Sequence, residues 1–278
     1  MAFFARPVTL DHALAILTDR PGVKVVAGGT DVYPALAEAV LRTDMLDLTG
    51  VSALRGVSRE ADHWRFGALA SWTDILCADL PPGFAALQAA ARELGSPQIQ
   101  NAGTIAGNIV NASPAADGTV ALMALDASVE LAGPAGRRVV ALADFVTGVR
   151  QVDLRRGELV TAVVVPDPGD ASAFVKLGAR KYLVISIAMV AVNLGLDAGR
   201  VVRARVAVGS CSPVARRLPG LESRLIGARA GDLAGLVGPQ DAEGLAPISD
   251  VRARAAYRAH VVPVLIRRAL AQIAKERG

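Results

Sequence analysis

Two glycine-rich segments carry the residues best suited to bind a phosphorylated ligand. The longer one, residues 102–117 (AGTIAGNIVNASPAAD), has small and hydroxyl side chains and contains neither lysine nor arginine. The shorter one, residues 26–31 (VAGGTD), has the same character. Glycine leaves no Cβ in the way and permits positive φ, so both segments can present backbone N–H groups to an anion at close range. They lie about seventy-five residues apart, and together they could hold the two phosphates of an extended dinucleotide from both sides.

Motifs for other phosphate and hydrolytic chemistry are missing from the sequence. It has no GxxxxGK[ST], no GxGxxG at a helix start, no GxSxG and no HExxH, which disfavours P-loop, standard Rossmann, esterase and zinc-protease sites. Cys77 and Cys211 lack CxxC spacing and the three histidines are scattered, so we predict no metal ligands and no disulfide framework. Redox chemistry in this chain would need an organic cofactor, and we predict no catalytic residue.

Each glycine-rich segment must be positioned by the elements around it. The apolar run 23–27 predicts a buried strand, and residues 32–41 predict a helix with Pro34 in its first turn. An amphipathic helix is predicted over residues 84–94, ended by Gly95, and another over 118–125 with its N-terminal end at Asp117. The segment 102–117 is therefore expected as a loop between two helices.

The rest of the chain predicts an α+β architecture. Residues 128–131 and 137–141 form a hairpin pattern, and the strand pattern 158–165 ends at a Pro-Asp-Pro boundary. Three strand patterns follow, at residues 173–177, 185–196 and 201–209, and then two helices, at residues 215–226 and 250–275. A three-stranded antiparallel sheet with helices laid on it is the simplest packing of that order.

Composition excludes several classes of partner. Aromatic residues make up only 4% of the 278 residues, and the net charge of +4 comes from dispersed arginines, so we expect no nucleic-acid binding. No apolar run approaches the ~18 residues that a membrane-spanning helix needs. Residues 1–7 lack the layout of a signal peptide, and we predict a cytoplasmic location.

The two segments resemble those of the medium subunit of the molybdenum hydroxylases. Three further stretches share the resemblance: ELVTAVVVP (158–166), AFVKLGARKYLVISIAMVAV (173–192) and DVRARAAYRAHVVPVLIRRAL (250–270). That family includes xanthine dehydrogenase and aerobic carbon monoxide dehydrogenase. The resemblance implies a PCMH-type FAD-binding module with two α/β subdomains, at residues 1–55 and 56–166. It also implies a C-terminal flavoprotein domain at residues 167–278.

The resemblance further implies the chain's cofactor, partners and task. FAD would bind this chain, beside a small subunit with two [2Fe-2S] clusters and a large subunit with a molybdenum-pterin cofactor, in a hexamer of two heterotrimers. Electrons from a substrate at molybdenum would cross the clusters and reduce FAD here, because a flavin can take single electrons and pass on a pair. The substrate and the final acceptor (NAD, oxygen or a quinone) are left open.

Roles carry over from the family residue by residue. Backbone groups of the shorter segment would line the pyrophosphate and ribityl side of FAD, and residues of the longer segment would close on the phosphates. Asp117 would accept hydrogen bonds from FAD hydroxyls. Val160 and Lys176 would lie near the isoalloxazine. The predicted FAD-binding residues are Ala27, Gly28, Gly29, Thr30, Asp31, Thr104, Gly107, Asn108, Asp117, Val160 and Lys176.

Several alternatives stay open at this point. Asp117 could instead be a helix N-cap, Lys176 a solvated residue of a strand, and Asn111 a turn former. Ala106 stands where the family usually has glycine, which would cost roughly 1 kcal/mol at positive φ and nothing at negative φ. Lys181-Tyr182 stands where the family often has an acidic residue, so the flavin-edge environment is undefined. A stand-alone PCMH-type flavin oxidoreductase and a structural subunit without a redox role are the competing functions.

Overall fold

A computed structural model gives the fold of residues 2–277, apart from the side chains of residues 38, 40, 41 and 277. A small parallel sheet in the order β1-β3-β2 forms the first part of the chain. The elements of this part are β1 (Phe4–Ala5), α1 (Leu10–Asp19), β2 (Lys24–Val26), α2 (Val32–Leu36) and β3 (Met45–Asp47). The helix predicted over residues 32–41 is α-helical only to Leu36 and continues as a 3-10 helix over Ala37–Arg42. The positive φ of Ala37, 44°, ends the α-helix there.

A five-stranded antiparallel sheet in the order β4-β5-β10-β6-β7 forms the second part. Helices lie between its strands along the chain. In sequence order the elements are β4 (Val57–Arg59), β5 (Trp64–Gly67), α3 (Trp72–Cys77), α4 (Ala85–Glu93), α5 (Pro97–Ala102), α6 (Ile105–Val110), α7 (Asp117–Ala124), β6 (Ser128–Gly133), β7 (Gly136–Ala141), α8 (Leu142–Phe145), β8 (Val146–Gly148), β9 (Gln151–Val152) and β10 (Leu159–Val165). The predicted hairpin is confirmed, since β6 and β7 pair across a tight turn from Gly133 to Gly136.

A second antiparallel sheet, in the order β11-β12-β13-β14, forms the C-terminal part. Its elements are β11 (Ala171–Leu177), β12 (Ala188–Asp197), β13 (Arg200–Gly209), β14 (Arg216–Arg217), α9 (Pro219–Leu225) and α10 (Ala255–Arg277). The three long strands are confirmed. The helix predicted from residue 215 begins only at Pro219, because β14 pairs with β13 as a short fourth strand. The last helix begins at Ala255 instead of residue 250, because the Asp250 carboxylate accepts backbone hydrogen bonds in a turn before it.

The C-terminal sheet is covered on both faces. One face packs against α10 in a core that includes Val190, Val206 and Ile266. The other packs against α4 and α7, and Phe174 and Met189 join the core of the preceding parts of the chain there. The C-terminal part therefore shares a packed junction with the rest of the chain. The predicted domain boundaries at residues 55 and 166 fall between β3 and β4 and between β10 and β11, and division into independent folding units stays a prediction.

Within residues 2–277, no helix has both the length and the apolar character needed to cross a bilayer.

Candidate functional site

The two glycine-rich segments meet in the structure. The first follows β2 directly, and a Cβ on Gly28 would lie 1.8 Å from the carbonyl oxygen of Ala102 at the start of the second. Gly29 has φ of +70°, a conformation that a residue with a side chain rarely adopts. Gly28 is therefore required for the contact between the segments, and Gly29 for the turn that brings the chain there.

The second segment is not the loop that the sequence predicts. It begins at Ala102, the last residue of α5, passes through Gly103 into the short helix α6, and continues as a turn to the start of α7 at Asp117. The Thr104 side chain caps α6 by accepting from the Gly107 N–H at 3.1 Å. Backbone hydrogen bonds from Ile105 to Ala70 and from Trp72 to Gly103 fix the segment against the region just before α3.

Ala106 lies inside α6 and is not among the described residues with positive φ. Its methyl group therefore causes no backbone strain.

The segments enclose a cavity of about 430 Å³, within the range of roughly 300–1,000 Å³ typical of small-molecule sites. Asn111, whose role the sequence left open, also contributes to its wall. Nine of the eleven predicted binding residues line this cavity: Ala27, Gly28, Gly29, Thr30, Asp31, Thr104, Gly107, Asn108 and Val160.

The first segment offers several unused hydrogen-bond donors to the cavity. The backbone N–H groups of Gly28, Gly29, Thr30 and Asp31 donate no hydrogen bond within the described part of the chain. Consecutive unpaired N–H groups form a concavity that suits an anion. This arrangement fits the diphosphate of FAD, and it depends on backbone atoms alone.

Asn108 adds a side-chain donor from the second segment. Its Oδ1 accepts from the Thr119 hydroxyl at 3.2 Å, which leaves its NH₂ group to face a ligand. A Cβ on Gly118 would lie 3.0 Å from Asn108 Oδ1 and 2.1 Å from the Trp72 ring. Gly118 therefore makes room for both side chains, and Thr119 sets the orientation of the amide.

Another part of the cavity wall is apolar. Leu69, Leu159 and Val160 are buried there, and Leu94 and Leu154 complete that surface. Apolar walls together with a few placed polar groups are typical of cofactor sites. Such a surface suits a flat ring system, while the free N–H groups suit phosphate.

Asp117 and Lys176 do not line this cavity. Lys176 Nζ donates to Asp117 Oδ2 at 2.5 Å, and the two side chains are only 7% and 6% exposed. The Ser186 hydroxyl donates to the other carboxylate oxygen at 2.7 Å. Burial raises the pKa of Asp117, against the opposing influence of the Lys176 ammonium. The pair thus joins α7 to β11, and its predicted contact with FAD stays a prediction.

The structure contradicts both alternative roles, a helix N-cap for Asp117 and a solvated strand residue for Lys176. Asp117 is the first residue of α7 and makes no side-chain capping bond, so it is not the N-cap. Lys176 is buried at its ammonium end, so it is not a solvated strand residue.

Sequence reasoning missed Lys24 and Arg150, which also line the cavity. Arg150 has φ of 59°, its N–H donates to Ala112 O at 3.0 Å, and its guanidinium donates to Asn111 O at 3.0 Å. Arg150 belongs to no recognisable motif, and only the folded chain places it beside α6.

Comparison with known proteins gives consistent matches along the chain. Residues 1–168 match the family described as the FAD binding domain in molybdopterin dehydrogenase. Residues 173–273 match the CO dehydrogenase flavoprotein C-terminal domain.

Individual relatives match over nearly their full length. The chain is 31% identical to the glyceraldehyde dehydrogenase medium chain of Sulfolobus acidocaldarius, over 98% of each chain. It is 29% identical to the xanthine dehydrogenase FAD-binding subunit of Escherichia coli O157:H7, over 100% of this chain and 97% of that one. A crystal structure of the cyanide-inactivated Cu,Mo-CO dehydrogenase contains a chain with TM-score 0.88 and 28% identity, over 100% of this chain and 98% of that one.

Proposed function

The chain belongs to the FAD-binding medium subunits of the molybdenum hydroxylase family, and we propose that it passes electrons from the iron–sulfur clusters of a partner subunit, through FAD, to an external acceptor. The observation that carries this proposal is the cavity between the two glycine-rich segments, with free backbone N–H groups in one wall and an apolar surface in another. FAD would supply the ability to take single electrons and release a pair.

The chain's own residues would bind and orient the cofactor. The N–H groups of Gly28 to Asp31 would donate to the diphosphate, and the amide of Asn108 would add a donor from the opposite side. Leu159 and Val160 would pack against the isoalloxazine and exclude water from it. In these roles the backbone N–H groups, the amide and the apolar side chains are already in position before FAD binds. Such preorganised groups are how proteins tune the reactivity of a bound cofactor.

The kinds and positions of the charged side chains in the cavity favour electron transfer over direct substrate chemistry. The charged side chains that line it in the described structure are Lys24, Asp31 and Arg150. Asp31 belongs to the segment with the free N–H groups, so it would lie beside the diphosphate. A stand-alone flavin oxidoreductase needs an acid or base at its flavin ring, and among the described residues that line the cavity the one carboxylate is Asp31, in the segment proposed to hold the diphosphate. This supports a subunit without a catalytic residue.

The partners are proposed from the family. Relatives carry names such as medium chain and FAD-binding subunit, which supports a small [2Fe-2S] subunit and a large molybdenum-pterin subunit beside this one. Two such heterotrimers would form the hexamer, in the cytoplasm.

The test mixes two proteins in the absence of oxygen. The iron–sulfur subunit is reduced, freed of excess reductant and mixed with the oxidised, FAD-loaded chain, while flavin absorbance is recorded. The proposal expects the flavin band to bleach as the clusters reoxidise. A chain that cannot be loaded with FAD refutes the proposal, and turnover of a substrate by the isolated chain would favour the stand-alone oxidoreductase. Unchanged activity of a complex assembled with a flavin-free variant would favour a structural subunit.

A further inference from the structure

The C-terminal part of the chain is connected to the FAD cavity through the first turn of α7. Every described residue that lines the cavity lies between Lys24 and Val160 in the sequence, so the C-terminal part supplies none of them. Two of its side chains, Lys176 and Ser186, instead bond to the carboxylate of Asp117, the first residue of α7. The position of this turn therefore depends on contacts made by the C-terminal part.

The Asp117 carboxylate is held at both of its oxygens. Lys176 Nζ donates to Oδ2 at 2.5 Å, and the hydroxyl of Ser186, which is 0% exposed, donates to Oδ1 at 2.7 Å. A buried carboxylate needs such donors, because an unpaired charge or lone pair away from water is costly. Removal of the Ser186 hydroxyl would leave Oδ1 without that donor, so the first turn of α7 would no longer be fixed from this side.

Ser186 is itself anchored by two arginines. Its carbonyl oxygen accepts from Arg252 at 3.1 Å, and the next carbonyl, of Ile187, accepts from the fully buried Arg258. Both guanidinium groups pair with Asp250, at 2.6 Å and 2.8 Å. The turn before α10 thus holds the backbone around Ser186, which gives the hydroxyl a fixed position opposite Asp117.

The other side of the same turn contacts a residue of the FAD cavity. The Thr119 hydroxyl, on a residue 4% exposed, donates to Asn108 Oδ1 at 3.2 Å, and Asn108 lines the cavity. Gly118, between Asp117 and Thr119, packs so closely that a Cβ there would lie 2.1 Å from the Trp72 ring. Interiors packed to this density transmit small displacements. A shift of Asp117 would therefore move Thr119 relative to the Asn108 amide.

We propose that Ser186 and Thr119 are positioning residues for FAD, because their two hydroxyls, on either side of the first turn of α7, hold the Asn108 amide in the orientation that binds the cofactor. This inference rests on the proposed function, in which the NH₂ group of Asn108 donates to FAD. Neither Ser186 nor Thr119 is among the described residues that line the cavity. Their effect on the cofactor therefore passes through Asn108.

The first experiment is a titration of flavin-free variants with FAD. Thr119→Val keeps the side-chain shape and removes the hydroxyl, and it should weaken FAD binding roughly fivefold, while Ser186→Ala should weaken it roughly threefold. Thr119→Ser keeps the hydroxyl and should bind as wild type does. The matched control is Ser172→Ala. Ser172 is also buried, at 4% exposure, and its hydroxyl accepts from the Ala86 N–H at 2.8 Å in the same junction, on β11.

Ser172→Ala should leave FAD affinity unchanged, because Ser172 makes its bonds to the chain around α4 and not to Asp117. If Ser172→Ala weakens FAD binding as much as Ser186→Ala does, general loosening of the junction explains both effects, and the proposal is overturned.

The second experiment is a double-mutant cycle with Asn108→Leu. In that background Ser186→Ala and Thr119→Val should cause no further loss of affinity, because the amide that they orient is absent. The same threefold and fivefold losses in both backgrounds would overturn the positioning role. If Ser186→Ala fails to fold in urea unfolding experiments, the cycle between Thr119 and Asn108 decides. Full affinity of Thr119→Val overturns the positioning role alone, whereas a wild-type chain that binds no FAD overturns the proposed function.

Discussion

Replacing Gly28 with alanine would place a methyl group 1.8 Å from the carbonyl oxygen of Ala102. Ordinary van der Waals contact begins at 3.4 Å, so the two segments would have to separate by about 1.6 Å at this point. The clash is with backbone, which cannot rotate away as a flexible side chain can. The cavity would open along the line where the two segments meet.

The expected loss of affinity follows from that separation. An N–H donor set at about 2.9 Å from a phosphate oxygen no longer forms a hydrogen bond after a shift of this size. Each hydrogen bond to a charged group contributes about 1.5–3 kcal/mol. Loss of two of them would weaken FAD binding by about 3–6 kcal/mol, or roughly a hundredfold to ten-thousandfold.

The assay is a titration of the flavin-free chain with FAD, followed by flavin fluorescence. Gly22→Ala is the matched control, because a Cβ on Gly22 meets nothing within 4 Å. Urea unfolding of both variants shows whether the chain still folds. If Gly28→Ala is folded and binds FAD as tightly as wild type, the contact between the segments does not form the binding site, and the reasoning is refuted.

Three further sites and one pH dependence follow from the structure. Asn108→Leu keeps the side-chain size and removes the amide, so FAD affinity should fall roughly tenfold, and unchanged binding in the same titration would contradict the assigned role. Asp117→Asn leaves the buried Lys176 ammonium without its charged partner, with Glu93 O as its remaining acceptor at 3.3 Å, which should lower the free energy of unfolding by about 3–5 kcal/mol, and adding Lys176→Met should restore most of it in urea unfolding. Ala106→Gly should destabilise the chain by about 0.5–1 kcal/mol without tightening FAD binding, because Ala106 is helical. Hydrogen bonding from a neighbouring guanidinium holds the pKa of Asp250 below its usual 3.8. The charged carboxylate therefore stabilises the fold above about pH 4 and less as the pH falls further, so the difference in unfolding free energy between wild type and Asp250→Asn should shrink in acid.

Local sequence patterns predicted the elements that hold the site. Side-chain periodicity and turn residues act over short distances in the sequence. They were enough to predict the strand at residues 23–27, the helix over 118–125 and the hairpin near Gly136. Glycine in both segments predicted close approach of the backbone to a phosphate, which stays a prediction, whereas the packing of Gly28 against Ala102 was not predicted.

Features that depend on contacts distant in sequence were not predictable in this way. The helix α6 within the second segment is short, and the hydrogen bonds from Ile105 to Ala70 and from Trp72 to Gly103 hold its N-terminal end in place. Arg150 reaches the cavity only because its backbone bonds to Ala112, 38 positions away. Pairing of Asp117 with Lys176 joins residues 59 positions apart, and no sequence pattern shows that both side chains are buried.

Titration of the flavin-free chain with FAD, FMN and ADP tests the central claim most directly. If the two glycine-rich segments hold the diphosphate of an FAD cofactor, the chain binds one FAD, ADP competes with it, and FMN, which has a single phosphate, binds far more weakly. Equal affinity for FMN and FAD, or no saturable binding of FAD, would contradict the account.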